Sequence, residues 1–352
     1  MTPPPVLSAE GGPFEERRSY GPNAGGGVTM LVLAGPTGIG KSDAALCLAE
    51  QLPVEIVAVD SMQVYRGMEI GTGKPSPEIR RQIPHHGLDL VEPEEEFDVL
   101  RYVQAVEPAI REILARGRVP LLVAGCGLYL RILLRGLCEA PGRDLVLRER
   151  LIAQGRAAGS AALHARLSGV DPEAARRIHP NDLRRVVRAL EVFEATGRPI
   201  SDWQNRTPRP EGPWGECRLV GLTGSRDLLY RKIEERVDGW LASGWLEEAR
   251  ALSRRRLSRT AREALGYREL FSHLRGEVDW PATRALIHRN TRRYAKRQIS
   301  WFRQERTMEW IQVDGLAPEE TARRILTLFQ DGTSAPRSRP AEGPGLPRLL
   351  AG

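Results

Sequence analysis

The residues Gly35-Pro36-Thr37-Gly38-Ile39-Gly40-Lys41-Ser42 match the phosphate-binding pattern G-x-x-x-x-G-K-[ST] in full. They follow an apolar, strand-like run, Leu31-Val32-Leu33-Ala34, and precede a helix-compatible stretch over residues 43–51. Strand, glycine turn and helix in that order constrain the fold more than any other segment. The glycines let the backbone curl so that successive N–H groups face one anion, and the helix that follows adds its positive N-terminal end. In such a loop Lys41 places a cation on a phosphate, and Ser42 offers a hydroxyl to Mg²⁺.

Further runs repeat the alternation. Glu55–Val59 reads as a second strand ending at Asp60, residues 98–116 as a helix, and Val119–Ala124 as a third strand ending in glycine. Arg218–Leu222 is a fourth strand, and long helices are expected over 228–254, 260–274 and 283–304. Strands alternating with helices pair in parallel, so the expected fold is α/β, a P-loop NTPase-like wound parallel sheet. Ligands of such sheets lie at the carboxyl ends of the strands. That rule brings Lys41, Asp60 and Cys126 to one rim, because each follows a strand end.

From 142 to 213 the pattern becomes rich in Arg, Ala and Leu with no convincing strand, which predicts an all-helical insertion domain. The core is then expected from 30–141 and 214–330. Residues 1–29, rich in Pro and Gly, form a disordered leader or lie upstream of a start at Met30, and 331–352 form a disordered tail. With 41% hydrophobic and 28% charged residues the chain reads as globular. The longest apolar run, residues 119–134, is broken by Gly125, Gly127 and Arg131, so no membrane span is expected. No secretory signal pattern opens the chain, and a cytoplasmic location follows. Cys47, Cys126, Cys138 and Cys217 stand far apart, which excludes a C-x-x-C zinc site or disulfide framework. Adjacent His85 and His86 point to opposite faces of an extended segment, a poor start for a metal site. The formal charge is +7, and only four of the 52 basic residues are lysines. An Arg-rich surface favours a polyanionic partner.

Phosphate loops serve kinases, ATPases, GTPases and some group transferases, so the loop alone does not name a reaction. An acid at the next strand end, Asp60, either holds Mg²⁺ through water or acts as a general base. Segment 296–303 interleaves Lys296, Arg297 and Arg303 with Trp301 and Phe302, a pairing that suits phosphate contact and base stacking. Its other reading is an ordinary helix with a core face and a solvated basic face. Arg184, Arg185 and Arg188 line one side of a second predicted helix.

Several blocks closely resemble the tRNA dimethylallyltransferase family. They are residues 35–42, 60–75 (Asp60-Ser61-Met62-Gln63 through Lys74-Pro75), Pro84-His85-His86 and 124–130. The series continues with His179-Pro180-Asn181-Asp182 through Glu191, then Ala264-Leu265-Gly266-Tyr267 and Lys296 to Arg303, in the family's order from about residue 30 to 314. The resemblance implies transfer of a dimethylallyl group from dimethylallyl diphosphate to N6 of adenine 37, next to a tRNA anticodon, by a Mg²⁺-dependent enzyme. It implies that residues 35–42 hold the diphosphate, with Lys41 and Mg²⁺ on Ser42 neutralising the leaving group. Asp60 matches the family's catalytic acid position. Ser61, Met62, Gln63, Arg184, Arg185 and Arg188 fall in segments that contact tRNA. Lys296, Arg297, Gln298, Trp301 and Arg303 are expected to do the same. Cys126 stands where the family usually has threonine; a thiol is the weaker donor, and the N–H groups of Gly125 and Gly127 are expected to compensate. The target base must be extruded from its stack, and the Gln63 amide could read its edge.

A small-molecule kinase using ATP on the same loop is the alternative reading, but it leaves the basic-aromatic helix unexplained. A prenyltransferase acting on free adenine nucleotides and a non-catalytic RNA-binding module are further alternatives. A monomer is expected.

Overall fold

The computed structural model describes residues 30–136, 144–205 and 214–331. The expected leader and Cys138 lie outside them, as does the expected tail apart from Asp331, which ends a helix. The strands are β1 (Met30–Ala34), β2 (Val54–Val59), β3 (His85–His86), β4 (Val119–Ala124), β5 (Cys217–Thr223) and β6 (Glu309–Gln312). They form one sheet in the order β3-β2-β4-β1-β5-β6, with every pair parallel. β1 and β2 are buried along their whole length, as strands covered on both faces must be, and this explains why β1 reads as an unbroken apolar run and β2 as one interrupted only by Glu55.

The helices are α1 (Lys41–Ala49), α2 (Pro77–Gln82), α3 (Val99–Ala115), α4 (Gly127–Arg135), α5 (Leu145–Ala158), α6 (Ser160–Val170), α7 (Pro172–Arg177), α8 (Leu183–Thr196) and α9 (Ile200–Asn205). After β5 come α10 (Arg226–Ala242), α11 (Trp245–Ser253), α12 (Arg259–Arg262), α13 (Tyr267–Leu274) and α14 (Trp280–Phe302), and α15 (Pro318–Asp331) follows β6. The chain divides into two compact units. The α/β unit comprises the described residues up to Glu96, Pro108–Cys126 and those from Glu216 onward; the helical unit comprises Phe97–Glu107 and Gly127–Gly215. The division thus falls at Pro108, inside α3, and just after β4 rather than at residue 142. The helical unit packs around Leu151, Leu163, Leu167, Val186 and Leu190. Buried Asp171 ties it together, capping α7 through Ala174 N (2.8 Å) and accepting from Ser201 N (3.0 Å) and Oγ (2.8 Å).

Two of the expected long helices are broken by glycines with positive φ. Gly244 (φ 99°) separates α10 from α11, and Gly266 (φ 84°) separates α12 from α13. The break lets Trp245 lie between backbone segments: it is 1% exposed and meets Tyr267 edge-on at 5.6 Å. Among the charged residues on the described strands, one is fully buried. Glu55 on β2, 3% exposed, accepts from His86 on β3 (2.7 Å) and Arg116 (2.9 and 3.2 Å). Burial raises its pKa, but the bonds to His86 and Arg116 outweigh that and hold the carboxyl below its ordinary value. His86 is therefore spent on fastening the edge strand.

A methyl added at Gly266 would stand 2.1 Å from the Trp245 ring, at a φ that side chains rarely adopt. Gly266→Ala is expected to cost about 2–4 kcal/mol from overpacking and left-handed strain together. Thermal unfolding should show a melting point lower by several degrees; an unchanged one would contradict this packing.

Candidate active site

Parallel pairing in matched register fixes the site. Ala34 on β1 is level with Ala124 on β4, and Ala124 with Val59 on β2. The next residues, Gly35, Gly125 and Asp60, therefore emerge side by side at the carboxyl edge. A cavity of about 570 Å³ opens above them, lined by Thr37, Lys41, Asp60, Gly125, Arg236 and Gln298 among others.

The loop after β1 turns through glycines at φ 80° (Gly38) and 101° (Gly40) into α1. A side chain at Gly35 would strike the Leu222 carbonyl oxygen at 2.8 Å, so glycine is required there. Among the described residues, the N–H groups of Gly38, Gly40, Lys41 and Ser42 have no acceptor, and neither does the Ser42 hydroxyl. Several unpaired donors at the start of a helix form an anion seat. Lys41 Nζ donates to the carbonyls of Gly35 and Pro36, both at 2.8 Å, which leaves its third proton. Burial, with Arg236 nearby, lowers its pKa to about 7, partly offset by Asp60. Arg236 comes from α10, stacks on Trp240 at 4.6 Å and is itself lowered by burial. Two cations held close in a confined site create a demand for an anion of more than one charge.

Asp60 begins a turn. Its Oδ1 accepts from Met62 N (2.7 Å) and Gln63 N (3.3 Å), while Oδ2 has no partner among the described residues. Gly125 faces it: a Cβ there would lie 3.2 Å from Oδ2. Tyr294 on α14 is also close; burial, then Asp60 and Cys126, push its hydroxyl above the ordinary value, so the phenol stays protonated. The segment beyond the turn is strapped down twice. Gln63 Nε2 donates to Thr72 O (3.0 Å) and Gly73 O (3.2 Å). Glu248 on α11 accepts from Glu69 N and Ile70 N (both 2.9 Å) and from the Tyr267 hydroxyl (2.5 Å).

Several expectations change here. Both amide protons of Gln63 are committed to backbone, so only its oxygen remains for a ligand, and two-pronged reading of an adenine edge is not available in this geometry. Gly125 N donates to Val59 O (3.2 Å), as does Cys126 N (3.1 Å), so the backbone compensation expected from Gly125 is spent within the sheet. Gln298, expected on an RNA-facing surface, is 7% exposed and bonded internally at both ends of its amide. Phe302 is fully buried core, with half-buried Trp301 edge-on to it at 5.5 Å. Lys296, Arg297 and Arg303 are exposed, and Arg289 and Arg293 extend that stripe along α14. Arg184 and Arg185 are exposed on α8 of the helical unit, but Arg188 is half-buried against Glu191 (3.2 Å). Ser61 and Met62 line the cavity. Among the described residues no group of three His, Cys, Asp or Glu side chains is placed to hold a metal.

Arg236, Tyr294 and Glu248 carry no motif of their own. They lie on three separate helices, α10, α14 and α11, and no sequence pattern links them.

A phosphate loop at the edge of a parallel sheet, facing a carboxylate across a cation-rich cavity, defines a P-loop α/β transferase. The family model described as IPP transferase matches residues 63–305, and that described as isopentenyl transferase matches 28–83. The tRNA dimethylallyltransferase of Geobacter sulfurreducens is 45% identical over 294 residues, spanning 83% of this chain and 94% of that protein. The same enzyme of Symbiobacterium thermophilum is 47% identical over 303 residues, 84% and 94%. Among solved structures, the tRNA isopentenylpyrophosphate transferase of Bacillus halodurans is 36% identical with a TM-score of 0.64, covering 87% of this chain and 98% of its own. A eukaryotic dimethylallyltransferase acting on tRNA shares 25% identity and a TM-score of 0.70, with 90% and 81% covered. The chain belongs to the tRNA dimethylallyltransferase family. The kinase reading is not favoured by these relatives.

Lys41 gives the anion seat a pH dependence with a definite sign. Below about pH 7 the free protein carries the ammonium; above it, anion binding must first restore a proton. Calorimetry with inorganic diphosphate should show the advantage of the unaltered chain over Lys41→Ala largest below about pH 7 and shrinking above it. An advantage that grows with pH would contradict the assignment.

Proposed function

We propose that the chain transfers the dimethylallyl group of dimethylallyl diphosphate to N6 of adenine 37, beside the anticodon of tRNA. The observation that carries this reading is the pairing across one rim of an anion seat holding two cations with a carboxylate oxygen that has no hydrogen-bond partner among the described residues. The seat takes the diphosphate on the N–H groups of Gly38, Gly40, Lys41 and Ser42, with the Lys41 and Arg236 side chains against its charge. Asp60 Oδ2 faces the space where the acceptor base must lie.

In the reaction N6 attacks the first carbon of the dimethylallyl group as that carbon's bond to oxygen breaks. The electron pair of the broken bond leaves with the diphosphate, and the N6 proton passes to Asp60 and then to solvent. The exocyclic amine is a weak nucleophile because its lone pair is delocalised into the ring, so proton removal in the transition state matters. Lys41 and Arg236 stabilise charge that grows on the leaving oxygens, the kind of interaction that lowers a barrier most. The Ser42 hydroxyl, without a hydrogen-bond partner among the described residues at the first turn of α1, is a hard oxygen donor of the type Mg²⁺ prefers, and it would hold the ion together with diphosphate oxygens. When bound, Mg²⁺ would add positive charge at the leaving group. Cys126 at the same rim fills the threonine position sterically. Enclosure of the cavity by Trp240, Trp245 and Ile56 offers the prenyl tail an apolar wall and keeps water from the carbocation-like centre.

RNA binding is supported by the exposed stripe Arg289, Arg293, Lys296 and Arg297 on α14, with Arg303 just past its end. Each contact to a phosphate releases counterions, so affinity should fall steeply with salt. The helical unit contributes Arg184 and Arg185. The protein acts as a monomer in the cytoplasm.

Incubation with radiolabelled dimethylallyl diphosphate, Mg²⁺ and unmodified tRNA should place label in the tRNA. Asp60→Ala should lower kcat by about 10² to 10⁴, the range for a positioned general base. A near-normal kcat would remove Asp60 from that role, while phosphoryl transfer from ATP without prenylation would instead revive a kinase.

A further inference from the structure

Gln298 sits on α14, the helix whose outer side carries the cationic stripe, yet its own amide is turned inward to the rim. Its Oε1 accepts from Thr37 N, in the middle of the phosphate loop, at 2.9 Å. Its Nε2 donates to Gly125 O, at the end of β4, at 2.7 Å. One neutral amide therefore spans the two arms of the site: the loop that seats the leaving group, and the strand end against which Asp60 packs. The two partners fix the amide's orientation, since an N–H faces its oxygen and a carbonyl faces its nitrogen. The fit is close. A Cβ at Gly125 would lie 3.2 Å from Asp60 Oδ2 and 3.5 Å from Gln298 Nε2. Thr37 is also the one loop N–H between Thr37 and Ser42, apart from Ile39, that is withheld from the anion.

We propose that Gln298 is a positioning residue that sets the distance between the phosphate loop and Asp60, and hence between leaving group and base. This rests on the prenyl-transfer reading above. A strut of this kind acts on the reacting geometry and much less on either ligand's binding, because the anion seat and the RNA stripe remain intact. Misplacement of reacting groups by about 1 Å can cost about 10²-fold in rate.

Three variants and one property of the unaltered chain test it. Gln298→Met, of similar length and without hydrogen bonds, should lower kcat by about 10- to 100-fold, at every pH, with KM for both substrates within a few fold. Gln298→Glu carries the sharper signature. Its carboxylate repels the Gly125 carbonyl, but when protonated it has one donor and one acceptor in the amide's places. The ratio of its kcat to that of the unaltered chain, taken at each pH, should rise as the pH falls from about 8 to about 5.5; burial raises the pKa of such a carboxyl into that range. Gln298→Asn, one methylene short, should not restore activity. In the unaltered chain, the Thr37 amide should exchange slowly with deuterium, well behind Gly40 and Lys41. A flat or inverted Gln298→Glu ratio, or a loss seen in KM rather than kcat, would overturn the proposal. So would a fast-exchanging Thr37 amide, which decides the matter even where a variant fails to fold. Failure of the unaltered chain to label tRNA would instead count against the prenyl-transfer reading.

Discussion

Three neighbouring strands, β2, β4 and β1, run parallel with their last residues level, and the chemistry of the site depends on that register. Val59, Ala124 and Ala34 end the strands at one height. The chain must leave the sheet at each of these points, and it does so through Asp60, Gly125 and Gly35. A slip of one residue in any pair would exchange the side chains packed on the two covered faces and carry the strand's terminal residue away from the other two. Continuous burial of β1 and β2 on both faces makes such a slip costly. The hydrophobic core thereby fixes the placement of an anion seat beside a carboxylate.

Around that edge, polar groups fall into two sets. Some are fully occupied with holding backbone: Asp60 Oδ1 on its own turn, Gln63 Nε2 on residues 72 and 73, Glu248 on residues 69 and 70, and Gln298 between loop and strand. Others have no hydrogen-bond partner among the described residues, namely the N–H groups of Gly38, Gly40, Lys41 and Ser42, the Ser42 hydroxyl and Asp60 Oδ2, with the charges of Lys41 and Arg236 beside them. The first set makes the second rigid. Preorganised donors and charges stabilise a transition state without reorganising at the moment of reaction.

Much of this was legible in the sequence because it is local. The phosphate loop, its flanking strand and helix, and Asp60 at the end of the next strand are contiguous patterns, and the wound α/β fold followed from them. What escaped was long-range or small. β3 and β6 contain two and four residues, too short for periodicity to register. Gly244 and Gly266 looked like tolerated glycines inside long helices, whereas each adopts a positive φ between two helices and stands immediately before the second. Arg236 reaches the site from almost 200 positions beyond the loop, with only a helical run of mixed charge around it. Gln298 was misplaced because its neighbours Lys296 and Arg297 are exposed cations, and nothing in the segment says that a polar residue among them faces inward. Arg188 similarly shares a helix with two exposed arginines but turns toward Glu191.

The central claim is that leaving group and base occupy the two arms of one rim. It is tested most directly by a crystal structure of the chain with an unreactive thiolodiphosphate analogue of dimethylallyl diphosphate and a tRNA anticodon stem-loop. The account predicts diphosphate oxygens on the N–H groups of Gly38, Gly40, Lys41 and Ser42 and on the Lys41 and Arg236 side chains, with an extruded adenine whose N6 lies within hydrogen-bond reach of Asp60 Oδ2. A diphosphate seated elsewhere, or an adenine whose N6 faces away from Asp60, would contradict it.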